Sequence, residues 1–334
     1  MRRLFNLLLA LIIGAAMFSC QKAEEPMDAG QVPETRAFGD KTPKAAIYVE
    51  TNDVNPLNAG DYTLPNGKAF ADIVEFFAAN IGIRTVNGVT EPTLFLNDKL
   101  TNLLENNGYK TYVQPLQAKG IKVLLTILGD HKGIGVASMD ATQTTKFAKI
   151  LAYAVEKYGL DGIGFDDEYA DDDGKYRAAS YSEVITKLHA LLPADKLITV
   201  FDWGAASSLT ADAVACVDYG YHGIFDSSYF QASSSFGIAK SGWSPTSINL
   251  GNYNDNHLTE ILQNASKAKA QGYGAMMYFN LRKRSEVNPT NVFTAAASGA
   301  GFGAPVSCSN GNRNQDWTFV STGYTITYDD VPAN

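Results

Sequence analysis

Between residues 45 and 300, short apolar runs rich in β-branched residues alternate with segments of helical spacing. No other feature narrows the fold so far, because strands that alternate with helices build a parallel sheet covered by those helices. The strand-like runs cover residues 45–50, 73–81, 121–128, 160–168, 196–202, 218–225, 246–252 and 273–281. The run over 121–128 (IKVLLTIL) is apolar throughout, as a strand buried on both faces requires. Helical spacing over 143–158 puts Phe147, Ile150, Leu151, Ala154 and Val155 on one face, and Gly159 is its stop. Further helices are expected over 181–192 before Pro193, over 211–216, over 256–271 before Gly272, and from residue 292. Eight strands with helices between them predict an α/β fold, a single-domain (β/α)8 TIM-type barrel over residues 45–303. A doubly wound open sheet is the alternative, but no Gly-rich phosphate loop follows the first strand. Residues 304–334 form a polar, aromatic C-terminal extension with Trp317, Tyr324 and Tyr328, expected to pack a small strand pair on the barrel.

The N-terminus reads as an address. Arg2 and Arg3 precede an apolar run over residues 4–18 that ends at Ser19-Cys20. A charged start and a short apolar stretch form a secretory signal, shorter than the roughly 20 residues of a membrane span. The small residue before Cys20 resembles a bacterial lipobox. Residues 1–19 are thus expected to be a lipoprotein signal peptide and Cys20 the lipidated first residue of the mature chain. A secreted chain with Cys20 removed is the alternative. Residues 20–44 carry three prolines and no periodicity, which suits a flexible tether. Glu24-Glu25 resembles the acidic export signals of some surface lipoproteins. The expected location is the bacterial outer membrane, reached through the lipid anchor and facing the cell surface, with a periplasm-facing anchor as the alternative. Cys216 and Cys308 remain, either bridged or as two thiols, since nothing in the sequence sets their separation.

The net charge of −8 and the lack of a basic stripe argue against nucleic acid as a partner and leave a neutral ligand open. Four His and three scattered Cys leave little material for a metal site.

The chemistry concentrates in Leu160-Asp161-Gly162-Ile163-Gly164-Phe165-Asp166-Asp167-Glu168-Tyr169. Side chains alternate along a strand, so Gly162, Gly164, Asp166 and Glu168 share one face. Asp166 and Glu168 then stand about 6.5–7 Å apart at the C-terminal end of a barrel strand, where this fold places its catalytic groups. Close carboxyls raise each other's pKa, and a carboxyl that keeps its proton near neutral pH can donate it to a leaving oxygen. That chemistry cleaves glycosidic bonds. A solvated acidic turn or a metal loop are the plainer readings, since Asp171-Asp172-Asp173 follow. Strand ends supply further candidates: Glu50, Asn80 and Asp202, with helix capping as the alternative for Asp202. Gly129, Gly133 and Gly135 fit a tight loop near the site.

This motif resembles the D-G-x-D-x-D-x-E signature of glycoside hydrolase family 18, with Asp161, Gly162, Asp166 and Glu168 matching and Gly164 replacing the middle Asp. The segments AIYVETNDVNPLNAGDYTL, FFAANI, GIKVLLTILGDHKGIGVA, KYGLDGIGFDDEYA and GYGAMMYFNL are similar to bacterial endo-β-N-acetylglucosaminidases of the Endo H and Endo F1 type, over residues 45–300. The resemblance implies retaining, substrate-assisted hydrolysis of the GlcNAc-β1,4-GlcNAc core of N-glycans, of high-mannose type, without a cofactor. Glu168 matches the acid that protonates the glycosidic oxygen. Asp166 matches the carboxylate that orients the sugar's 2-acetamido group while its oxygen closes an oxazolinium ring. With Gly164 in place of an acid, Asp166 is expected to ionise more readily. The sixth strand differs from the family's: His222 stands for a polar contact, and Tyr221 or Tyr229 for a hydroxyl. Phe279 and Asn280 end the eighth strand, where the family often lays an aromatic floor, and Trp243 and Tyr229 are candidate stacking faces; ordinary core for Phe279 and cover over apolar core for the two loop aromatics are the alternatives. A glycan-binding barrel with little or no turnover, and a chitinase or peptidoglycan hydrolase, are the alternatives.

Overall fold

The computed structural model describes residues 41–171, 175–252, 257–318 and 321–333. The signal segment 1–19, Cys20 and the tether up to residue 40 lie outside the described residues.

In chain order the strands are β1 (Lys44–Glu50), β2 (Tyr62–Thr63), β3 (Ile73–Val86), β4 (Val89–Leu96), β5 (Lys122–Leu128), β6 (Gly162–Phe165), β7 (Leu197–Asp202), β8 (Tyr219–His222), β9 (Trp243–Ser244), β10 (Ser247–Asn249), β11 (Ala275–Phe279), β12 (Ser307–Cys308) and β13 (Tyr324–Ile326). The helices are α1 (Asp98–Leu104), α2 (Gly108–Tyr112), α3 (Gln114–Gln117), α4 (Ala141–Tyr158), α5 (Ser180–Leu191), α6 (Ala211–Val214), α7 (Leu258–Gln271) and α8 (Thr290–Gly299).

Parallel pairing runs in the order β10, β11, β1, β3, β5, β6, β7, β8, β9. The segment holding β9 and β10 pairs with β8 at its start and with β11 at its end. Pro245 separates the two pieces, and it has no N–H to give to a ladder. The result is a nearly closed parallel barrel with helices around it, as the alternation of strands and helices predicts.

Two layers of side chains hold it. Residues that alternate inward, among them Tyr48, Ile73, Leu124, Phe201, Tyr219, Tyr221 and Met277, fill the barrel. Their neighbours, such as Ile47, Val74, Ile163 and Phe165, pack outward against the helices. Helix α4 begins two residues earlier than its apolar spacing suggests, because Asp140 caps it and exchanges bonds with Gln143. Gly159 closes it at φ 62, a left-handed conformation that glycine adopts without strain.

Two elements differ from the expected pattern. The second strand continues to Val86 and returns as β4 through Asn87 and Gly88, both at positive φ, in a tight two-residue hairpin turn. Among the described residues the tail forms no strand pair of its own. Instead β12 pairs with β2 and β13 with β4, both antiparallel. Among the described residues no disulfide joins Cys216 to Cys308.

Candidate active site

The ladder of β6 ends at Phe165, three residues short of the strand expected over 160–168. One more rung follows, from the Asp166 amide to the Ile127 carbonyl at 3.0 Å. The chain then leaves the sheet because the loop after β5 captures it. The Gly129 amide donates to the Glu168 carbonyl at 2.8 Å and the His131 amide to the Tyr169 carbonyl at 2.7 Å. Tyr169 takes a positive φ of 55° there, a conformation costly for a residue with a side chain and often found at working sites.

Gly129 is required by contact. A Cβ at this position would lie 2.5 Å from backbone atoms of Glu168, Tyr169 and Ala170. Gly135 packs similarly on Ala170, and its Cβ would lie 2.5 Å from the Ala170 methyl. Asn80, at the C-terminal half of β3, donates to the Gly129 carbonyl at 2.9 Å. Asn80 therefore steadies the strap that holds Glu168. On the other side, Asp167 accepts from the Ala205 amide at 2.8 Å and ties the loop after β7 to the same turn.

These ties leave Asp166 and Glu168 at the C-terminal mouth of the barrel in unlike surroundings. Asp166 is 6 % exposed, and its Oδ1 has no hydrogen-bond partner among the described residues. Burial first, then the nearby charges of Glu168 and Asp167, push its carboxyl up to about 8. Burial thus works against the easier ionisation that a glycine at position 164 favours. Glu168 is half-buried, and burial raises its carboxyl above the ordinary range. A half-buried acid raised by burial alone thus stands near a buried carboxyl with an open oxygen.

Glu50 ends β1, and burial and then Asp53 raise its carboxyl, opposed by Arg282. The Tyr169 ring is exposed, and Glu168, burial, Asp166 and Glu50 all raise its hydroxyl. Tyr169 thus gathers the three carboxyls at one mouth, a role not singled out from the sequence.

An aromatic floor lies beside them. Phe279 stacks on Phe225 with centroids 4.7 Å apart, and Phe225 stacks on Phe201 at 5.6 Å. Phe77 meets Phe279 edge-on at 5.7 Å. Asn280 follows in the left-handed region at φ 59°, with its Oδ1 buried and unpartnered among the described residues. Phe225 and Trp203 were not singled out as floor residues. Both are exposed apolar rings just past strand ends, which is the signal that could have marked them.

Other candidates serve the frame. Both Asp202 oxygens are taken by Ser235, the amide at 2.8 Å and the hydroxyl, which fixes the loop after β8. His222 is buried, its Nδ1 lies 3.2 Å from the Ile224 carbonyl, and its ring leans on Tyr229 with centroids 5.1 Å apart. Burial lowers its pKa, so the ring is neutral at pH 7. Tyr221 points into the barrel beneath the mouth, and its hydroxyl is unpartnered among the described residues. Tyr229 is exposed and donates to Gln231 at 3.1 Å. Trp243, a candidate stacking face, is instead fully buried, with its indole N–H on the Gln231 carbonyl at 2.8 Å. A cavity of about 1190 Å³ opens at the opposite end of the barrel, and among the charges that line it Lys41 pairs with Asp72 and Lys122 with Asp161.

A parallel barrel with two up-shifted carboxyls and an aromatic floor at its C-terminal mouth is the arrangement of a glycoside hydrolase. No protein-family model matches the chain. Curated relatives and solved structures do. The chain is 34% identical over 247 residues to an endo-β-N-acetylglucosaminidase of Flavobacterium sp. (strain SK1022), covering 72% of this chain and 75% of that one. It is 34% identical over 267 residues to endo-β-N-acetylglucosaminidase F1 of Elizabethkingia meningoseptica, covering 73% and 74%. Bacteroides thetaiotamicron EndoBT-3987, solved with a Man5GlcNAc product, superposes with a TM-score of 0.65 at 27% identity over 90% of this chain and 68% of that one. The chain belongs to the endo-β-N-acetylglucosaminidases of glycoside hydrolase family 18.

Proposed function

We propose that this enzyme hydrolyses the GlcNAc-β1,4-GlcNAc core of N-glycans, of high-mannose type, and leaves one GlcNAc on the protein. The observation that carries the reading is the unlike pair at the mouth, a half-buried Glu168 whose carboxyl burial raises and a buried Asp166 with an open oxygen. Glu168 gives its proton to the glycosidic oxygen as the bond breaks. The 2-acetamido oxygen of the sugar attacks the anomeric carbon from the other face and closes an oxazolinium ring, with retention after water reopens it. Asp166 accepts the acetamido N–H and carries the balancing negative charge as the ring turns positive. Asp166 does so in its ionised form, its own proton having left to solvent before the ring closes, and the developing positive charge offsets the burial that raises this carboxyl. Glu168, now a carboxylate, takes the proton of the attacking water.

The aromatic floor of Phe201, Phe225 and Phe279, with the exposed Trp203 at the rim, offers flat apolar faces to sugar rings. High-mannose specificity rests on relatives: EndoBT-3987 is also solved with a Man9GlcNAc2Asn substrate, at a TM-score of 0.64 and 26% identity. The proposed location is the outer membrane, through a lipid on Cys20 that follows the Arg2-Arg3 and apolar signal, with the barrel facing outward on its tether.

The test is a mass measurement on a high-mannose and a complex-type glycoprotein. Loss of glycan mass that leaves a single GlcNAc on the high-mannose protein is the expected result. Binding without turnover would make this a glycan-binding barrel, and release of small oligomers from chitin or cell wall would make it a chitinase or a peptidoglycan hydrolase.

A further inference from the structure

The two ends of the barrel carry opposite charge. Lysines gather at the end away from the mouth, around the cavity of about 1190 Å³. Lys41, Lys68, Lys119, Lys122 and Lys269 line it against two acids, Asp72 and Asp161, an excess of three positive charges. They come from separate elements. Lys41 precedes β1, Lys68 lies between β2 and β3, Lys119 and Lys122 flank the start of β5, and Lys269 is in the last turn of α7. Scattered in this way, they leave no basic stripe in the sequence, and the barrel topology brings them together. The α7 dipole accounts for Lys269, but the other four lie outside helices. Lys240, just before β9, extends the patch with its ammonium 5.2 Å from the centre of the Tyr273 ring.

The fold does not consume these charges. Lys68, Lys119 and Lys269 are exposed, and among the described residues Lys68 and Lys269 form no ion pair. Lys119 reaches Asp61 at 3.7 Å, but Asp61 is buried and also takes the Arg313 guanidinium. The mouth has the opposite balance. Asp166, Asp167, Glu168, Asp171 and Asp202 stand at or just past strand ends there. Lys132 and Arg282, in loops on that side, pair with Asp130 and Asp53. A chain of net charge −8 thus keeps a basic face at the end opposite its acidic mouth. Lys41 is the first described residue and lines the same cavity, so the chain toward Cys20 leaves the barrel at this face.

We propose that this lysine face docks on the anionic head groups of the membrane to which the chain is anchored, and so turns the mouth away from the lipid. The proposal rests on the outer-membrane anchor at Cys20 given above. The residues between Cys20 and Lys41 span at most about 70 Å, so the anchor alone lets any face meet the lipid. Charge decides among the faces. Three excess lysines near an anionic surface favour this orientation over its reverse on the order of 100-fold. That preference is too small to hold an unanchored chain at physiological salt, where charges are screened beyond about 8 Å. The anchor keeps the face beside the surface at high effective concentration, and the lysines then orient it. With the mouth outward, glycoproteins reach Glu168 from the medium.

The test is lysine footprinting of the mature, lipid-bearing chain on vesicles, with a membrane-impermeant acylating reagent read by mass spectrometry. One set of vesicles is phosphatidylcholine, the other equal parts of phosphatidylcholine and phosphatidylglycerol. Lys68, Lys119 and Lys269 should be acylated at least about 5-fold more slowly on the anionic vesicles, and the difference should fade as salt rises. Lys132 and Lys175, in loops on the mouth side, should react alike on both. Lys68→Glu/Lys269→Glu should remove the protection of Lys119. Lys132→Glu/Lys175→Glu makes the same change in net charge at the mouth and should keep it. Equal acylation of the lysine face on both vesicles overturns the proposal, as does protection of Lys132 and Lys175 instead. Release of the face by millimolar inorganic phosphate at constant ionic strength also overturns it, and makes the cavity a small-anion site. A chain without lipid on Cys20 would defeat the anchor, and sedimentation of Cys20→Ser with the same vesicles at low salt then decides the face. A preference for the anionic vesicles that Lys68→Glu/Lys269→Glu abolishes supports the docking face, and equal sedimentation with both refutes it.

Discussion

Replacing Gly129 by Ala should damage turnover far more than its size suggests. The added methyl would sit 2.5 Å from backbone atoms of residues 168–170, where ordinary contact begins at 3.4 Å. The two segments must part by roughly the difference, just under 1 Å, because neither partner is a side chain that can rotate away. The parting strains the bond from the Gly129 amide to the Glu168 carbonyl at 2.8 Å, which places the acid. A displacement of about 1 Å at a reacting group costs on the order of 100-fold in rate. Overpacking of this kind costs about 1–3 kcal/mol of stability. The expected result is a loss of kcat/KM between about 10- and 100-fold with a folded protein, most of it in kcat. Kinetics on a Man9GlcNAc2Asn peptide, with a thermal melt as control, measures both. Wild-type kcat/KM in Gly129→Ala would refute the claim that this contact sets the position of Glu168.

Asp166→Asn should abolish most turnover yet stabilise the fold. The folded carboxyl titrates near 8 and the unfolded one near 3.8, so wild-type stability falls as pH rises through that window. The Asn variant lacks this loss and should gain at least about 1 kcal/mol at pH 7, read from denaturant melts. His222 works in the opposite sense: its folded pKa lies below 6.5, so its contribution fades as pH falls below that value, and His222→Gln should flatten the acid side of the stability curve. Phe225→Ala removes the middle ring of the aromatic floor, and a rise in KM of about 10-fold with a smaller change in kcat is expected, for a stacking contribution near 1 kcal/mol. In cells, Cys20→Ser should move the protein from the membrane to the soluble fraction; continued membrane association would remove the lipid anchor from the account.

The alternation of strands and helices was enough to read the barrel, because each apolar run carries a period of its own. The carboxyls of residues 166 and 168 were legible for the same reason, although the strand that bears them ends at Phe165. That early ending depends on bonds from Gly129 and His131 in the loop after β5, which is distant in sequence and leaves no local trace. The hairpin at Asn87-Gly88 had a clear local signal, a two-residue turn pair between apolar runs, and was overlooked. The tail was misread because its strands pair with β2 and β4, more than 200 residues earlier, and pairing at that range leaves no local signature. Trp243 took the alternative reading, cover for the apolar core, because burial of a loop aromatic depends on what packs over it.

The central claim is that Glu168 is the proton donor to the glycosidic oxygen. The most direct measurement compares wild type and Glu168→Gln on a high-mannose glycoprotein by intact mass, with glycan binding measured alongside. The account predicts that the variant folds, still binds the glycan, and leaves the glycoprotein mass unchanged over times in which the wild type strips it to a single GlcNAc. Removal of the glycan by Glu168→Gln at a rate near that of the wild type would contradict it.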